Sequence, residues 1–228
     1  LWLRLFQEFG EHMAAGRRGR VEETLRASLR TRMEAVRKTL VDITDRNVSL
    51  NILCHYASQL WYGGRLFGED EWRDAAASLL DRIVAMQSPD GYWVDAKVPR
   101  GPVNMYSGVT LNGVAVYALH SGNAAARAAV RRAAEFHLAA AYPDGTLVET
   151  FDERNRHSPQ TPSAWLVPSF ALLAETQPAA AEFARRYETA APCALAPDRP
   201  RIAADLCEAL DLVPAGDIPT VGDRDGVK

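Results

Sequence analysis

A helical pattern that recurs roughly every 55 residues is the feature that most constrains the fold of this chain. Apolar residues at steps of three and four mark one helix after another, and the helices come in pairs. When Tyr62 is laid over Tyr117, the Pro-Asp-Gly turns at 88–91 and 142–145 fall within one residue of each other. In such turns proline fixes φ and glycine permits positive φ. The pattern therefore predicts three helical hairpins in tandem.

The two helices of each pair differ in charge. The first helices are predicted over 50–62, 105–120 and 164–174, and the second helices over 70–86, 124–141 and 179–190. The first are nearly uncharged and should be surrounded by protein, whereas the second carry Arg, Glu or Asp along one side and should face water. We therefore predict an all-α fold of tandem helical hairpins that form an α/α-toroid, partial or complete. An open superhelix of helix pairs requires the same pattern.

The chain divides into two predicted parts. Residues 1–190 are expected to form the α/α-toroid domain, and residues 191–228 a Pro- and Asp-rich C-terminal extension with one short helix. The hairpins are fewer than a closed ring needs, so the ring is open, a second chain completes it as a homo-oligomer, or a segment is missing. The chain also opens at Leu1 inside an amphipathic pattern, without a methionine, so we expect that upstream residues have been removed.

Charge and composition exclude several classes of partner. The formal net charge of −3 provides no basic surface for nucleic acid or anionic lipid. No apolar run reaches the roughly 18 residues that a membrane span needs. The three cysteines have neither an even count nor the spacing of metal ligands, so neither a disulfide framework nor a zinc site is expected. We predict no cofactor, no nucleic acid and no membrane partner, and the compartment stays open.

Two segments resemble known helical proteins. Residues 80–93, LDRIVAMQSPDGYW, resemble the helix end and turn shared by many α/α-toroid proteins. Residues 140–149, AAYPDGTLVE, with the following TFDERNRH, are similar to segments of heparinase II/III-like polysaccharide lyases and unsaturated uronyl hydrolases. The resemblance covers roughly 49–170 and implies a toroid that acts on a saccharide. Residues 80–93 also loosely resemble the Gln-Trp motif of isoprenoid cyclases, but the acidic motifs of those enzymes are missing.

The richest polar cluster lies in the long connection before the third uncharged helix. β-Elimination beside a uronate carboxylate requires a group that neutralises the carboxylate, a base for the C5 proton and an acid for the leaving oxygen. We predict that His157 acts in catalysis and that four neighbours bind the substrate: Glu149, Arg154, Asn155 and Arg156. The alternative is a surface loop whose charged side chains pair locally.

The uncharged helices contribute the remaining candidates. Asn51 and His55 are four residues apart and share a helix face. An Asn and a His on an otherwise apolar helix suggest the lining of a cleft, so Asn51 is predicted to bind the substrate. Because Asn, Tyr and His act in the resembled lyases, the resemblance implies catalytic roles for His55 and Tyr106 and a substrate-binding role for Asn104. His55 could instead be a buried structural histidine, and Asn104 a helix N-cap. Trp93 is predicted to stack on a sugar ring, although an aromatic residue of this kind also suits a core.

These residues predict a carbohydrate-active enzyme that acts on an acidic polysaccharide or oligosaccharide, with a β-eliminating lyase favoured. Three alternatives stay open: an α/α-toroid glycoside hydrolase, a non-catalytic helical-repeat binding module, and an isoprenoid-cyclase-like protein. His120 and His137 are interpreted as structural residues.

Overall fold

The structure, a computed structural model, is mostly helical over the residues that it describes, and those residues contain no β-strand. The described residues are 2–41, 49–94, 102–142, 148, 166–174, 177 and 180–181. The helices are α1 (Trp2–Phe9), a 3-10 turn (Gly10–His12), α2 (Ala15–Val41), α3 (Leu50–Phe67), α4 (Asp70–Ala85), α5 (Asn104–Ser121), α6 (Ala124–Ala139) and α7 (Val167–Ala174). The predicted all-α class is confirmed. The predicted C-terminal extension, 191–228, lies outside the described residues.

The helices pack in two layers. Helix α5 contacts α3 and α7 in an inner row that α1 joins through α3, and helices α2, α4 and α6 form an outer row. Each outer helix packs against the inner helices on either side of it, so the chain alternates between the rows. Apart from Arg65, α3 and α5 contain no Asp, Glu, Lys or Arg, as the sequence predicted for buried helices. Closure of the rows into a toroid stays a prediction.

The inner helices α3 and α5 run parallel, one repeat apart. The Cys54 thiol donates a hydrogen bond to the Thr110 carbonyl, 56 residues on, at 3.2 Å. Near the other end, the Arg65 guanidinium donates to the His120 carbonyl, 55 residues on, at 3.4 Å. Because both pairs have nearly the same separation, the helices point in the same direction with matched ends. The repeat of the sequence is therefore also the contact spacing of the inner row.

The outer row shows a regular spacing of its own. Four side-chain hydrogen bonds each span 42 residues: Arg82 to the Leu40 carbonyl, Gln87 to the Ala129 carbonyl, Asn123 to Asp81, and Gln177 to Glu135. Each bond links one outer-row segment to the next. The outer row is thus connected by polar side-chain contacts at a regular spacing.

Helix α3 continues through Gly63 and Gly64, so the prediction that it ends at this pair is wrong. A Cβ on Gly63 would lie 2.4 Å from the Leu29 side chain, and one on Gly64 would lie 2.8 Å from the Glu69 carbonyl oxygen. The glycines therefore allow α2 and the start of α4 to approach the helix. Gly68, with φ of 70°, ends it in the left-handed conformation.

A turn over residues 87–93 joins the outer row to the inner row and lies against α6. The Gln87 side chain donates hydrogen bonds to the Gly91 carbonyl at 2.9 Å and to the Ala129 carbonyl of α6 at 2.8 Å. Gly91 has φ of 96°, and a Cβ there would lie 2.4 Å from the Arg132 carbonyl oxygen. The 87–93 turn therefore contacts the α6 backbone with no space for a side chain between them.

Candidate functional site

The inner helices begin at a common end of the layer. Because α3 and α5 are parallel and matched in register, their first turns lie side by side. The chain before α7 reaches the same end, since a Cβ on Gly108 would lie 3.3 Å from the Leu166 side chain. We call the end that contains Asn51, His55 and Tyr106 the entry rim. The opposite end contains the short turns at Gly68 and Gly122.

Two of the predicted site residues lie in the first two turns of α3. Asn51 and His55 are both half-buried and are separated by one helical turn. The Asn51 side-chain oxygen accepts a hydrogen bond from the Ile52 N–H at 2.8 Å. Ile52, beside them, is 48 % exposed, so this part of α3 is accessible.

Tyr106 brings a third predicted residue to the entry rim. It follows Asn51 by 55 residues, which is the spacing that separates contacting residues of α3 and α5. Tyr106 is half-buried, and its backbone carbonyl accepts a hydrogen bond from the Thr110 hydroxyl at 3.0 Å. Tyr106 and His55 each make further contacts within the chain. The first two turns of two adjacent helices thus present a carboxamide, an imidazole and a phenol.

The first turns of the two helices at the entry rim have neither a side-chain cap nor an acidic side chain. The N-cap residues are Ser49 for α3 and Val103 for α5, and neither makes a side-chain cap hydrogen bond. Neither helix has an acidic residue in its first turn. The first N–H groups of a helix carry the positive end of its dipole. Two such ends at one rim favour an anionic group of a ligand.

The structure gives Trp93 a different role from the predicted sugar platform. Its ring is 1 % exposed, and its indole N–H donates a hydrogen bond to the Ile83 carbonyl at 2.7 Å. A ring enclosed in this way has no free face for a sugar, so Trp93 stabilises the core. Asn104 is the first residue of α5, and Val103 rather than Asn104 occupies the N-cap position.

The predicted polar cluster before α7 lies outside the described residues. This applies to Glu149, Arg154, Asn155, Arg156 and His157. Their roles stay predictions. Among the residues that the structure does describe, no group of three His, Cys, Asp or Glu side chains could hold a metal ion. Nor is any helix of that described part long and apolar enough to cross a membrane.

The sequence interpretation placed His137 among the structural residues, but it missed the polar group around it. His137 is 0 % exposed, and its Nε2 lies 3.3 Å from the hydroxyl of Ser107 on α5. Its Nδ1 is buried without a hydrogen-bond partner. Burial lowers the pKa of His137 from 6.5 to about 4. Nothing in the sequence pairs two residues that are 30 positions apart on different helices.

Comparison with known proteins gave no match to any family model, any curated protein or any solved structure. The residues of the entry rim therefore provide the basis for a functional proposal.

Proposed function

We propose that this chain is a carbohydrate-active protein of the α/α-toroid kind, which binds an acidic saccharide at the entry rim and cleaves it by β-elimination. One observation supports this most strongly. Asn51, His55 and Tyr106 lie on the first turns of two adjacent parallel helices, and both helix N-termini lack a side-chain cap. The uronate carboxylate is the group that such a rim would attract.

The chemistry assigns one task to each residue. The Asn51 amide and the helix N-termini bind the uronate carboxylate and stabilise the negative charge that develops as C5 loses its proton. The His55 imidazole takes that proton, and the Tyr106 hydroxyl donates a proton to O4 as the C4–O4 bond breaks. The products are a saccharide with a new hydroxyl and an unsaturated uronate with a C4–C5 double bond. Asn104 and the predicted residues at 149 and 154–157 would complete the site.

Elimination suits the inner helices better than hydrolysis does. A glycoside hydrolase normally needs two carboxyl groups that flank the scissile bond. The described helices α3, α5 and α7 contain no Asp or Glu. Hydrolysis would therefore have to recruit both carboxyl groups from other parts of the chain, whereas an imidazole and a phenol are already present at the rim.

The proposal predicts activity on uronate polymers that depends on the rim residues. The protein is incubated with polygalacturonate, alginate or hyaluronate, and the ultraviolet absorbance of the unsaturated product is followed. We expect the product to form with at least one polymer, and His55→Ala and Tyr106→Phe to lower kcat/KM by about 100-fold or more, because each removes a proton-transfer group. The control His12→Ala changes an exposed histidine of the 3-10 turn and should leave the rate unchanged.

Each alternative function gives a different result in this assay. New reducing ends without absorbance would indicate a glycoside hydrolase. Polymer binding without any new ends would indicate a non-catalytic binding module. Neither binding nor cleavage with any of the three polymers would contradict a saccharide function.

A further inference from the structure

Three segments of the chain meet at a buried row of polar groups. The Trp93 backbone N–H, at the end of the 87–93 turn, donates a hydrogen bond to the Ser107 hydroxyl at 3.3 Å. The same hydroxyl lies 3.3 Å from Nε2 of His137 near the end of α6. Ser107 is 1 % exposed and His137 0 % exposed. A single histidine thus connects the turn, α5 and α6 through one hydroxyl.

This row tolerates His137 only as a neutral imidazole. A neutral ring has one N–H and one acceptor nitrogen, and Ser107 can pair with Nε2 in either tautomer. Protonation would place an N–H on both nitrogens and a positive charge on a ring enclosed by protein. In the charged ring Nδ1 always carries a proton, and this N–H would have no acceptor, since Nδ1 has no hydrogen-bond partner. A buried charge without a partner is strongly unfavourable.

Among the described residues, no neighbouring charge offsets this cost. The titratable groups on the described segments packed around His137 are Asp90 and Tyr92 on the turn, Tyr106, Tyr117 and His120 on α5, and Arg127, Arg131, Arg132 and Glu135 on α6. Helix α4, which also contacts α6, carries Asp70, Glu71, Arg73, Asp74, Asp81 and Arg82, and helix α7 contains no titratable group. Arg132 donates to the Gln87 side chain, and Glu135 accepts from Gln177, so both are engaged elsewhere. Burial is the cause of the lowered pKa of His137.

We propose that His137 is an acid-sensitive latch for the 87–93 turn. Proton uptake by the imidazole breaks the row formed by Trp93, Ser107 and His137, and the Trp93 end of the turn separates from α5 while the helices stay folded. The rest of the turn stays on α6, because Gln87 bonds to the Ala129 carbonyl, Gly91 lies against the Arg132 carbonyl and the Tyr92 ring packs on Phe136.

The sign of the pH dependence follows from the two states of the latch. In the released state His137 is hydrated and titrates near its ordinary pKa of 6.5, whereas in the closed state its pKa is about 4. The closed state is therefore fully favoured above pH about 6.5 and is weakened as the pH falls towards about 4. Over that interval the equilibrium constant for release rises by up to about 300-fold. Below pH about 4 His137 is protonated in both states, and the equilibrium between the closed and released states changes no further.

Amide hydrogen exchange of the full chain tests the latch. The Trp93 N–H bonds to the Ser107 hydroxyl in the closed state, whereas the Gly91 N–H bonds to the Ser88 carbonyl within the turn. We expect the protection of the Trp93 amide, corrected for the intrinsic pH dependence of exchange, to fall by up to about 300-fold between pH 7 and pH 4. Amides in the middle of α3 should keep their protection. An equal loss in α3 would show general acid unfolding, and an unchanged Trp93 amide would show no release; either result overturns the proposal.

A matched pair of variants identifies the titrating group. His137→Leu removes the imidazole, and the turn should then lose its dependence on pH, whereas His12→Leu, at an exposed histidine, should retain it. If His137→Leu does not fold, nuclear magnetic resonance of the wild-type histidine rings gives the same information. One of the five histidines should stay neutral down to pH about 4. Titration of all five near pH 6.5 would overturn the proposal.

Discussion

Replacing Gly91 with alanine is expected to lower the free energy of unfolding by about 3–5 kcal/mol, although the change adds only one methyl group. Two effects combine at this position. The φ of 96° disfavours any residue with a Cβ, and the new Cβ would lie 2.4 Å from the Arg132 carbonyl oxygen. A backbone atom within a helix cannot move aside as a flexible side chain can. The 87–93 turn must then leave α6, and the bond from Gln87 to the Ala129 carbonyl is lost.

Gly68→Ala is the matched control for this prediction. Gly68 also has positive φ, 70°, but no atom lies within 4 Å of the position of a Cβ. Gly68→Ala should therefore lower the free energy of unfolding only by the cost of a Cβ at positive φ, about 1–2 kcal/mol. Urea unfolding followed by far-ultraviolet circular dichroism measures both variants. Equal losses at the two glycines would contradict the close contact between the turn and α6.

The second large effect is expected at Gly113, between the inner helices. A Cβ there would lie 2.5 Å from the Cys54 sulfur and 3.0 Å from the Ser58 hydroxyl. Gly113→Val should force α3 and α5 apart and lower the free energy of unfolding by about 3 kcal/mol or more. Gly19→Val adds the same side chain to α2, where a Cβ would meet no atom within 4 Å, and should change stability by less than about 0.5 kcal/mol.

A double variant separates this contact from the effect of valine on the helix itself. In a Cys54→Ala background the sulfur that meets the new side chain is absent, so Gly113→Val should cost about half as much as in the wild-type background. The same unfolding measurement is made on the wild type, the two single variants and the double variant. If the two substitutions change the free energy of unfolding additively, Cys54 does not face Gly113.

Much of the architecture could be predicted because two independent patterns agreed. The 55-residue repeat predicted tandem helical hairpins, and the structure joins Arg65 and His120, which are 55 residues apart on two inner helices. The absence of charge predicted which helices would form the inner row. Boundaries were less predictable, since Gly63 and Gly64 resemble a helix end but serve close packing between helices.

The candidate site was predictable only where a helix imposes geometry. Asn51 and His55 share a face because of helical periodicity, and Tyr106 lies on the neighbouring helix one repeat later. Trp93 was misjudged, because an aromatic residue after a turn looks the same in sequence whether it fills a core or meets a ligand. The contact of His137 with Ser107 depends on how α5 and α6 pack, which no local pattern encodes.

The central claim is that the entry rim binds an acidic saccharide. The most direct measurement is a nuclear magnetic resonance titration of the labelled protein with a short oligogalacturonate, following backbone amide shifts. We predict that the largest shifts fall in the first two turns of α3 and α5, around Asn51, His55 and Tyr106, and that they weaken in high salt. Shifts concentrated near Gly68 and Gly122 at the opposite end, or no saturable shift at all, would contradict the account.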